Sequence, residues 1–498
     1  MGGPLILAID QGTSATKCLL VDATGRVVGR GQAPVAQATP NPGWVEQDSG
    51  DIWNSVRRAV AATLDAETAK RVVGIGLSTQ RESCVIWDAH SGEALTPVLS
   101  WQDLRTEPLC EDLRARGHGA LVRRKSGLPL DPMFSAAKAK WLLDRIDPNR
   151  ARAKAGELRI GTIDAFLLSR FGGEAVIEAG NASRTQLMDV ERAAFDDQLL
   201  EIFDIPRAAM PRLVSSIGPF PRACGLSPLR DGVPVGAVMA DSHSALFAHG
   251  AFAPGPVKAT HGTGSSIMGL IDAARAGALH PGMCLTLAWQ IDVPVPAFEG
   301  NIRAAGATLV WAAELLGVSV DGLAAMAAAE RDCGGVHLIP AFNGLGAPWW
   351  DGGAVAALSG FTLGSGRGQV ARAAFDSLAH QIADVLDAVR SSGAPVDSLL
   401  VDGGPTRNDH LMQIEADLVG APVMRRDAAE LSALGVAQLA GVSAGLFTLD
   451  GLSAQTRGGE TFRPVLAEPQ RQMARDAWRA ALARSRSGAG VPDGGEER

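Results

Sequence analysis

The sequence predicts an α/β protein of two domains, each carrying the same strand-and-turn device. Three observations support this. Apolar runs of strand length alternate with amphipathic stretches of helix length, the pattern of sheets covered by helices. Strands end in glycine-and-hydroxyl turns at Asp10-Gln11-Gly12-Thr13-Ser14, Thr260-His261-Gly262-Thr263-Gly264-Ser265-Ser266 and Asp402-Gly403-Gly404-Pro405-Thr406. The chain has 498 residues, too many for one ordinary core.

The elements follow in order. Residues 5–9 form a strand that delivers the first turn. Residues 18–22 make the next strand, and after Thr24-Gly25 a short one lies at 27–28. A helix over about 51–64 has Asp51 in its first turn and Ile52, Val56, Val60 and Leu64 on one face. Residues 72–78 read as a buried strand delivering Gln80-Arg81-Glu82, and 84–87 as another. Proline and glycine cluster over 217–235, marking a surface connection. Residues 235–240 then form a strand running into Asp241. In the second half, strands flank the 261–266 turn and another precedes Asp402. Helices are expected at 303–316, 367–390, 408–419 and 430–446, the second with Val370, Ala374, Leu378, Ile382 and Val385 on one stripe. The boundary falls near residue 250, giving domains 1–250 and 251–484. A Gly-, Ser-, Pro- and charge-rich tail, 485–498, is expected to be disordered.

Composition excludes several classes. Apolar residues make up 46% and charged residues 20%, values normal for a globular protein. The net charge of -8 argues against a nucleic-acid surface. The first apolar run is broken by Asp10 and lacks a basic leader, so it is not expected to be a signal peptide. No uninterrupted apolar stretch is long enough for a bilayer. Six scattered cysteines without a C-x-x-C pair read as reduced thiols in a cytoplasmic setting.

The turns suggest anion chemistry. Glycine lets the backbone turn tightly, so N–H groups and hydroxyls can converge on a phosphate. Asp10 would repel that phosphate unless a cation sat between them, which points to Mg²⁺. The alternative for each glycine is a turn that needs positive φ. Asp241, at a strand end, is either a general base or the cap of the following helix. Lys17 is either a phosphate ligand or a solvated charge. Arg81 donates and Glu82 accepts, so the pair can order two adjacent hydroxyls. Trp101 either lays its ring along a carbon chain or is plain core. His243, His249 and His261 match no metal-ligand spacing and read as hydrogen-bonded histidines.

Separated blocks resemble the FGGY carbohydrate kinase family, and within it the glycerol kinase branch. They are Asp10-Gln11-Gly12-Thr13, Ser78-Thr79-Gln80-Arg81-Glu82, Trp101-Gln102-Asp103-Leu104-Arg105-Thr106, Gly161-Thr162-Ile163-Asp164 and Asn181-Ala182-Ser183-Arg184-Thr185. Gly262-Thr263-Gly264, Ile339-Pro340-Ala341-Phe342, Ala347-Pro348-Trp349-Trp350-Asp351 and Asp402-Gly403-Gly404 continue the match. The resemblance, spanning about 5–447, implies two ribonuclease-H-like (actin-like ATPase) domains with a nucleotide and substrate cleft between them. It implies ATP with Mg²⁺ and transfer of the γ-phosphate to a hydroxyl. It resolves Asp241 toward the catalytic base, shared with the metal, and makes Asp10 the metal-organising acid. Thr13, Ser14, Lys17, Thr263, Gly264, Gly306, Gly404 and Asn408 become nucleotide positions. Arg81, Glu82, Trp101, Met133, Asp241, Ser242 and Ser266 become acceptor positions. Asp164 and Arg184 support the fold and receive no chemical role. The implied partner is a small polyol or sugar, with no nucleic acid and no membrane; the resemblance admits a homodimer or homotetramer.

The departures concentrate at the acceptor. Glycerol kinases carry tyrosine where Met133 stands, glutamine at Ser242 and phenylalanine at Ser266. Their loss predicts a roomier, rearranged pocket for a C4 or C5 polyol, glycerol remaining a candidate; a ketopentose kinase on the same fold is the alternative. Val310 replaces a glutamine near the nucleotide. The glycine-rich segment that binds a sugar bisphosphate inhibitor in some glycerol kinases is not recognisable in 217–235, so no such feedback is expected. An actin-like nucleotide switch would share the phosphate turns but need no Arg81-Glu82, Trp101 and Asp241 cluster. A catalytically dead binding protein would have no use for Asp10, Asp241 and Thr263.

Overall fold

A computed structural model describes residues 3–426, 430–455 and 459–486. From residue 487 on, the tail expected to be disordered lies outside the described residues, and Ser485 closes the last helix.

The first apolar run forms β1 (Leu5–Gln11), and Leu5 to Ile9 are at most 1% exposed. It turns through Gly12 into the antiparallel β2 (Ala15–Asp22), which sets Asp10 directly opposite Lys17. β3 (Val27–Pro34) extends well beyond the valine pair that marks it, because its residues alternate between a partly buried and an exposed face. Helix α1 (Ser49–Thr63) is capped by Asp48, whose carboxylate accepts the Asp51 N–H at 2.9 Å. β4 (Val72–Thr79) runs parallel to β1, and β5 (Val235–Ala240) runs parallel to β4. The sheet order is β5-β4-β1-β2-β3, and β5 passes directly into helix α2 (Asp241–Ala248).

The second sheet repeats this plan. β6 (Gly255–His261) and β7 (Ser265–Leu270) form an antiparallel hairpin. After β8 (Cys284–Gln290) and β9 (Pro294–Ile302) come helices α3 (Gly306–Leu316) and α4 (Arg367–Ser391). Then follow β10 (Val396–Gly403), α5 (Asp409–Val419), β11 (Val423–Arg425), α6 (Leu431–Ser443), β12 (Glu460–Phe462) and α7 (Glu468–Ser485). The order is β8-β9-β7-β6-β10-β11-β12. In both sheets a third strand borders the hairpin's second strand. Two parallel strands border its first: β4 then β5, and β10 then β11.

The chain divides into two compact units. The first takes residues up to Phe252 together with Leu285–Ala297 and Ala428–Arg457; the rest form the second. The chain thus returns twice to the first unit, and the halves drawn at residue 250 are not contiguous. Helix α6 accounts for the second return: it is apolar nearly all round, and Val436, Leu439 and Ala440 are fully buried. Ser244 of α2 donates to the Ser432 carbonyl at 2.5 Å, fixing α6 beside α2.

Three local expectations change. The strand read at 84–87 is Val85–Asp88 and pairs with Leu158–Gly161, outside the main sheet. The 217–235 connection is not wholly superficial: Leu226, Leu229 and Val233 are buried anchors between its turns. Helix α4 is buried well beyond one stripe, with Asp376, His380 and Asp384 inside as well. Its polar residues find partners there: Arg372 pairs with Asp376, and Arg475 of α7 bonds the His380 carbonyl at 2.9 Å. Among the described residues, no single helix is long and apolar enough to cross a membrane.

Candidate active site

In the first unit the strand ends gather the predicted acids and bases. Asp10, at the end of β1, accepts the Ser78 hydroxyl at 2.8 Å from the neighbouring β4. Burial pushes the Asp10 carboxyl up to about 7. The Ser78 bond pulls the other way, the charge of Asp241 raises it further and Lys17 opposes. Lys17 is half-buried across the hairpin from Asp10, and its charge opposes the rise of the Asp10 pKa. Thr13 is half-buried and Ser14 exposed at the hairpin tip.

Asp241 opens α2, and its carboxylate accepts the Ser242 N–H at 2.6 Å. It faces Arg81, whose Nε lies 3.2 Å from Asp241 Oδ1. A guanidinium beside a half-exposed carboxylate holds the carboxylate in place while leaving an oxygen edge open. Glu82 sits just past β4 with φ at 60°, a conformation that a non-glycine residue adopts at a cost. Its carboxylate is buried and receives Arg184 Nε at 2.7 Å, with Arg81 Nε 3.9 Å from its other oxygen. Arg184, left without a chemical role by the sequence, therefore orients Glu82 and lies over the Phe134 ring. The signal was there: Arg184 belongs to one of the matching blocks, but nothing in its spacing tied it to Glu82.

Trp101 is 37% exposed, so the core reading for it fails. Its indole N–H donates to the Thr13 hydroxyl at 3.0 Å, joining a predicted acceptor residue to a predicted phosphate residue. Met133 is half-buried on a loop that the sequence did not explain. The ammonium of Lys138, fully buried, donates to the carbonyls of Pro132 at 2.6 Å and Met133 at 2.5 Å. Burial pushes that ammonium down to about 8, and the nearby acidic groups oppose the shift. Ser242 is half-buried beside Asp241.

The second unit holds the other predicted residues. Thr263 is exposed at the β6–β7 turn, and the first helical N–H groups of α3 are spent on this turn rather than on a ligand. Gly306 N donates to the Gly262 carbonyl at 2.9 Å and Ala307 N to the Thr263 carbonyl at 3.2 Å. Gly264 has no positive φ; it is glycine because a Cβ there would lie 2.3 Å from the Ile302 carbonyl oxygen. Positive φ does apply to Gly403, at 102°. Gly404 is exposed beyond it and has ordinary φ. Asn408 caps α5, its side-chain oxygen taking the Leu411 N–H at 2.8 Å, which leaves its amide N–H₂ for a ligand. Ser266 donates to the fully buried Glu299 at 3.1 Å. Val310 is 48% exposed on α3, one turn beyond Gly306.

Under the second turn lies a buried polar network. His261 Nε2 is 3.1 Å from Glu415, and its Nδ1 meets Ser265 Oγ at 2.9 Å. Burial opposes protonation of His261, but the Glu415 carboxylate outweighs it and the pKa is raised. His243 and His249 are buried in α2 and just after it. Among the described residues no group of three or more His, Cys, Asp or Glu could hold a metal. Asp10 and Asp241 are an all-oxygen pair, and Mg²⁺ is typically held by one or two carboxylates plus water and phosphate oxygens. Their chemistry fits that ion.

Comparison with known proteins bears on the family. Residues 5–248 match the N-terminal domain of the FGGY family of carbohydrate kinases and residues 257–444 its C-terminal domain. Glycerol kinases of Aromatoleum aromaticum and Halorhodospira halophila are 40% and 39% identical to this chain. The matches cover 97% and 98% of this chain, and 98% of each relative. The crystal structure of Plasmodium falciparum glycerol kinase with ADP aligns with a TM-score of 0.90 at 26% identity, covering 97% of this chain and 98% of that one. A xylulose kinase from Rhodospirillum rubrum shares the fold, with a TM-score of 0.83 at 24% identity over 96% and 97% of the two chains. With both domains matched over nearly its whole length, the chain belongs to the FGGY family of carbohydrate kinases, ATP- and Mg²⁺-dependent enzymes that phosphorylate an alcohol.

Proposed function

We propose that this chain phosphorylates a small polyol at the expense of ATP, with Asp241 as the general base. The observation that carries the reading is the Arg81–Asp241 contact at 3.2 Å, beside a Glu82 that Arg184 holds at 2.7 Å. One guanidinium thus serves a carboxylate that accepts a proton and borders one that orders hydroxyls. Two neighbouring hydroxyls of an acceptor would donate to Glu82 and accept from Arg81, with the Trp101 ring along the carbon chain. Asp241 takes the proton of the attacking hydroxyl. The new bond joins that oxygen to the γ-phosphorus, and the bond to the bridging oxygen breaks, releasing ADP. Asp10 and Asp241 would hold Mg²⁺, which when bound supplies positive charge to the phosphate oxygens. Thr13, Ser14, Lys17, Thr263, Gly264, Gly306, Gly404 and Asn408 are assigned to the nucleotide. Lys17 supplies a cation and Thr13 and Thr263 supply hydroxyl donors.

The acceptor is assigned as a four- or five-carbon polyol. Met133, Ser242 and Ser266 are all smaller or less polar than the tyrosine, glutamine and phenylalanine of glycerol kinases, and Ser266 is turned toward Glu299 at 3.1 Å. A coupled ADP-release assay across glycerol, erythritol, threitol, xylitol, ribitol, xylulose and ribulose tests this. The fastest turnover is expected with a C4 or C5 polyol. Preference for glycerol over all of them overturns the pocket assignment, and preference for a ketose moves the chain to the ketopentose kinases. Asp241→Asn is expected to abolish turnover with nucleotide affinity retained; normal turnover would remove Asp241 from its role.

A further inference from the structure

A closed ring of hydrogen bonds lies beneath the candidate site in the first unit, and its glutamines and serine carry none of the roles assigned above. Gln47 Nε2 donates to the Thr13 carbonyl at 2.7 Å. Gln80 Nε2 donates to Gln47 Oε1 at 2.9 Å and to Gln11 Oε1 at 3.1 Å. The Ser83 hydroxyl donates to Gln80 Oε1 at 2.9 Å and accepts the Trp101 backbone N–H at 3.1 Å. The Trp101 indole N–H closes the ring on the Thr13 hydroxyl at 3.0 Å. As a spur, Gln11 Nε2 holds the Gly12 carbonyl at 2.8 Å. Gln11, Gln47, Gln80 and Ser83 are all at most 2% exposed.

The direction of every bond in this ring is fixed. A carboxamide has two N–H donors and one acceptor oxygen. Both donors of Gln80 are in use, and its oxygen takes the Ser83 proton. Flipping Gln80 would set oxygen against oxygen at Gln47 and Gln11, two buried acceptors that would lose their donors. Gln47 cannot flip either, because its oxygen would then face the Thr13 carbonyl. At the far side, the Thr13 hydroxyl accepts the Trp101 indole N–H, so its own proton is left to donate elsewhere.

We propose that Gln47 and Gln80 are positioning residues that set Trp101 and Thr13 in one shared geometry, so that acceptor and nucleotide affinities depend on the same ring. This rests on the reading above, in which Trp101 serves the acceptor and Thr13 the phosphate. The competing account is that buried glutamines merely staple strand ends together. It predicts lost stability with unchanged affinities.

The test uses the full-length protein with Gln47→Leu, Gln80→Leu and the double variant. Calorimetry gives the Kd for the Mg²⁺ complex of adenylyl imidodiphosphate, and the ADP-release assay gives KM for the fastest acceptor in the panel. Gln47→Leu breaks two of these bonds and Gln80→Leu three, and each single variant is expected to raise both constants by about threefold or more, since each lost buried hydrogen bond is worth about 0.5–1.5 kcal/mol. The double variant is expected to be no worse than the poorer single one within about twofold, because a ring already opened has nothing further to lose. Gln80→Glu keeps the size but has no N–H donors, and is expected to behave like Gln80→Leu. Ile160→Val, a core change in the same unit, should lower stability and leave both constants in place. If Gln80→Leu does not fold, Ser83→Ala opens the ring at one hydroxyl with the same readouts. Single variants within twofold of wild type, or losses that multiply in the double variant, overturn the proposal. A wild type that turns over no acceptor overturns the kinase reading instead, and the nucleotide Kd still judges the ring.

Discussion

Acid should weaken Mg²⁺-nucleotide binding through Asp10, and the size of the effect follows from its surroundings. Burial raises the carboxyl to about 7, with Ser78 and Lys17 opposing and Asp241 adding to the shift. Because this lies above the ordinary carboxylate value, protonated Asp10 favours the folded chain. That stabilisation is whole below about pH 4 and is lost as pH rises through about 7. A metal requires the ionised form, so binding must expel the proton below pH 7. With a pKa of about 7, Asp10 is ionised to about 10% at pH 6 and about 90% at pH 8. The affinity for the Mg²⁺ complex of adenylyl imidodiphosphate should therefore fall about tenfold from pH 8 to pH 6, roughly 1.4 kcal/mol. Calorimetry in buffers of different ionisation enthalpy counts the proton released. Asp10→Asn, titrated over the same range, removes the ligand's own protonation from the comparison. If the wild-type and Asp10→Asn profiles ran parallel, the carboxyl would not be the linked group and the metal role of Asp10 would fall.

Three further outcomes follow from single contacts. Arg184→Leu leaves the buried Glu82 charge without its 2.7 Å partner; urea unfolding should show a loss of about 3–5 kcal/mol, and Glu82→Gln in that background should restore part of it. Gly264→Ala forces a methyl to within 2.3 Å of the Ile302 carbonyl oxygen, and should cost about 1–3 kcal/mol in thermal unfolding together with nucleotide affinity. Met133→Tyr with Ser266→Phe should shift kcat/KM from C4 and C5 polyols toward glycerol by about tenfold or more, the scale that pocket filling supplies; an unchanged acceptor profile would show that these positions do not set specificity.

The strands that carry the site were legible because they are nearly continuous apolar runs. β1, β4, β5 and β10 all deliver a candidate residue at or just beyond their ends, so the pattern that marks the strand also marks the site. Helices were legible to within a few residues where a stripe or cap existed, as at α1 and α5. What stayed hidden depends on pairing between distant segments. Nothing near residue 82 announces Arg184, 102 positions away, and nothing near Met133 announces that Lys138 turns its ammonium back onto the loop. The ambiguous residues divided by burial. Trp101 is exposed and leans on Thr13, whereas Lys17 is drawn half inside by its place opposite Asp10. The glycines were read as conformational, but at Gly264 the constraint is the approach of another backbone, which no single-sequence rule reveals.

The two hairpins share a topology and differ in what lies behind them, and the difference is electrostatic. Behind β1 and β2 the buried groups are neutral amides and hydroxyls, with Asp10 as the acid aimed at the tip. Behind β6 and β7 the buried partners are acids and bases: His261 lies 3.1 Å from Glu415, and Lys258 donates to Thr260 at 2.9 Å, which in turn donates to Asp402 at 3.0 Å. A neutral backing adds no charge of its own to the first hairpin, so the charged groups there are half-buried Asp10, Lys17 opposite it and Asp241 nearby. That suits a cation whose binding must be conditional on phosphate. These pairs lock the second turn from beneath, and the donor it presents is the exposed Thr263 hydroxyl. If both turns hold phosphate as proposed above, one strand plan has yielded two unlike sites, because the hairpin supplies the geometry and the layer beneath it differs.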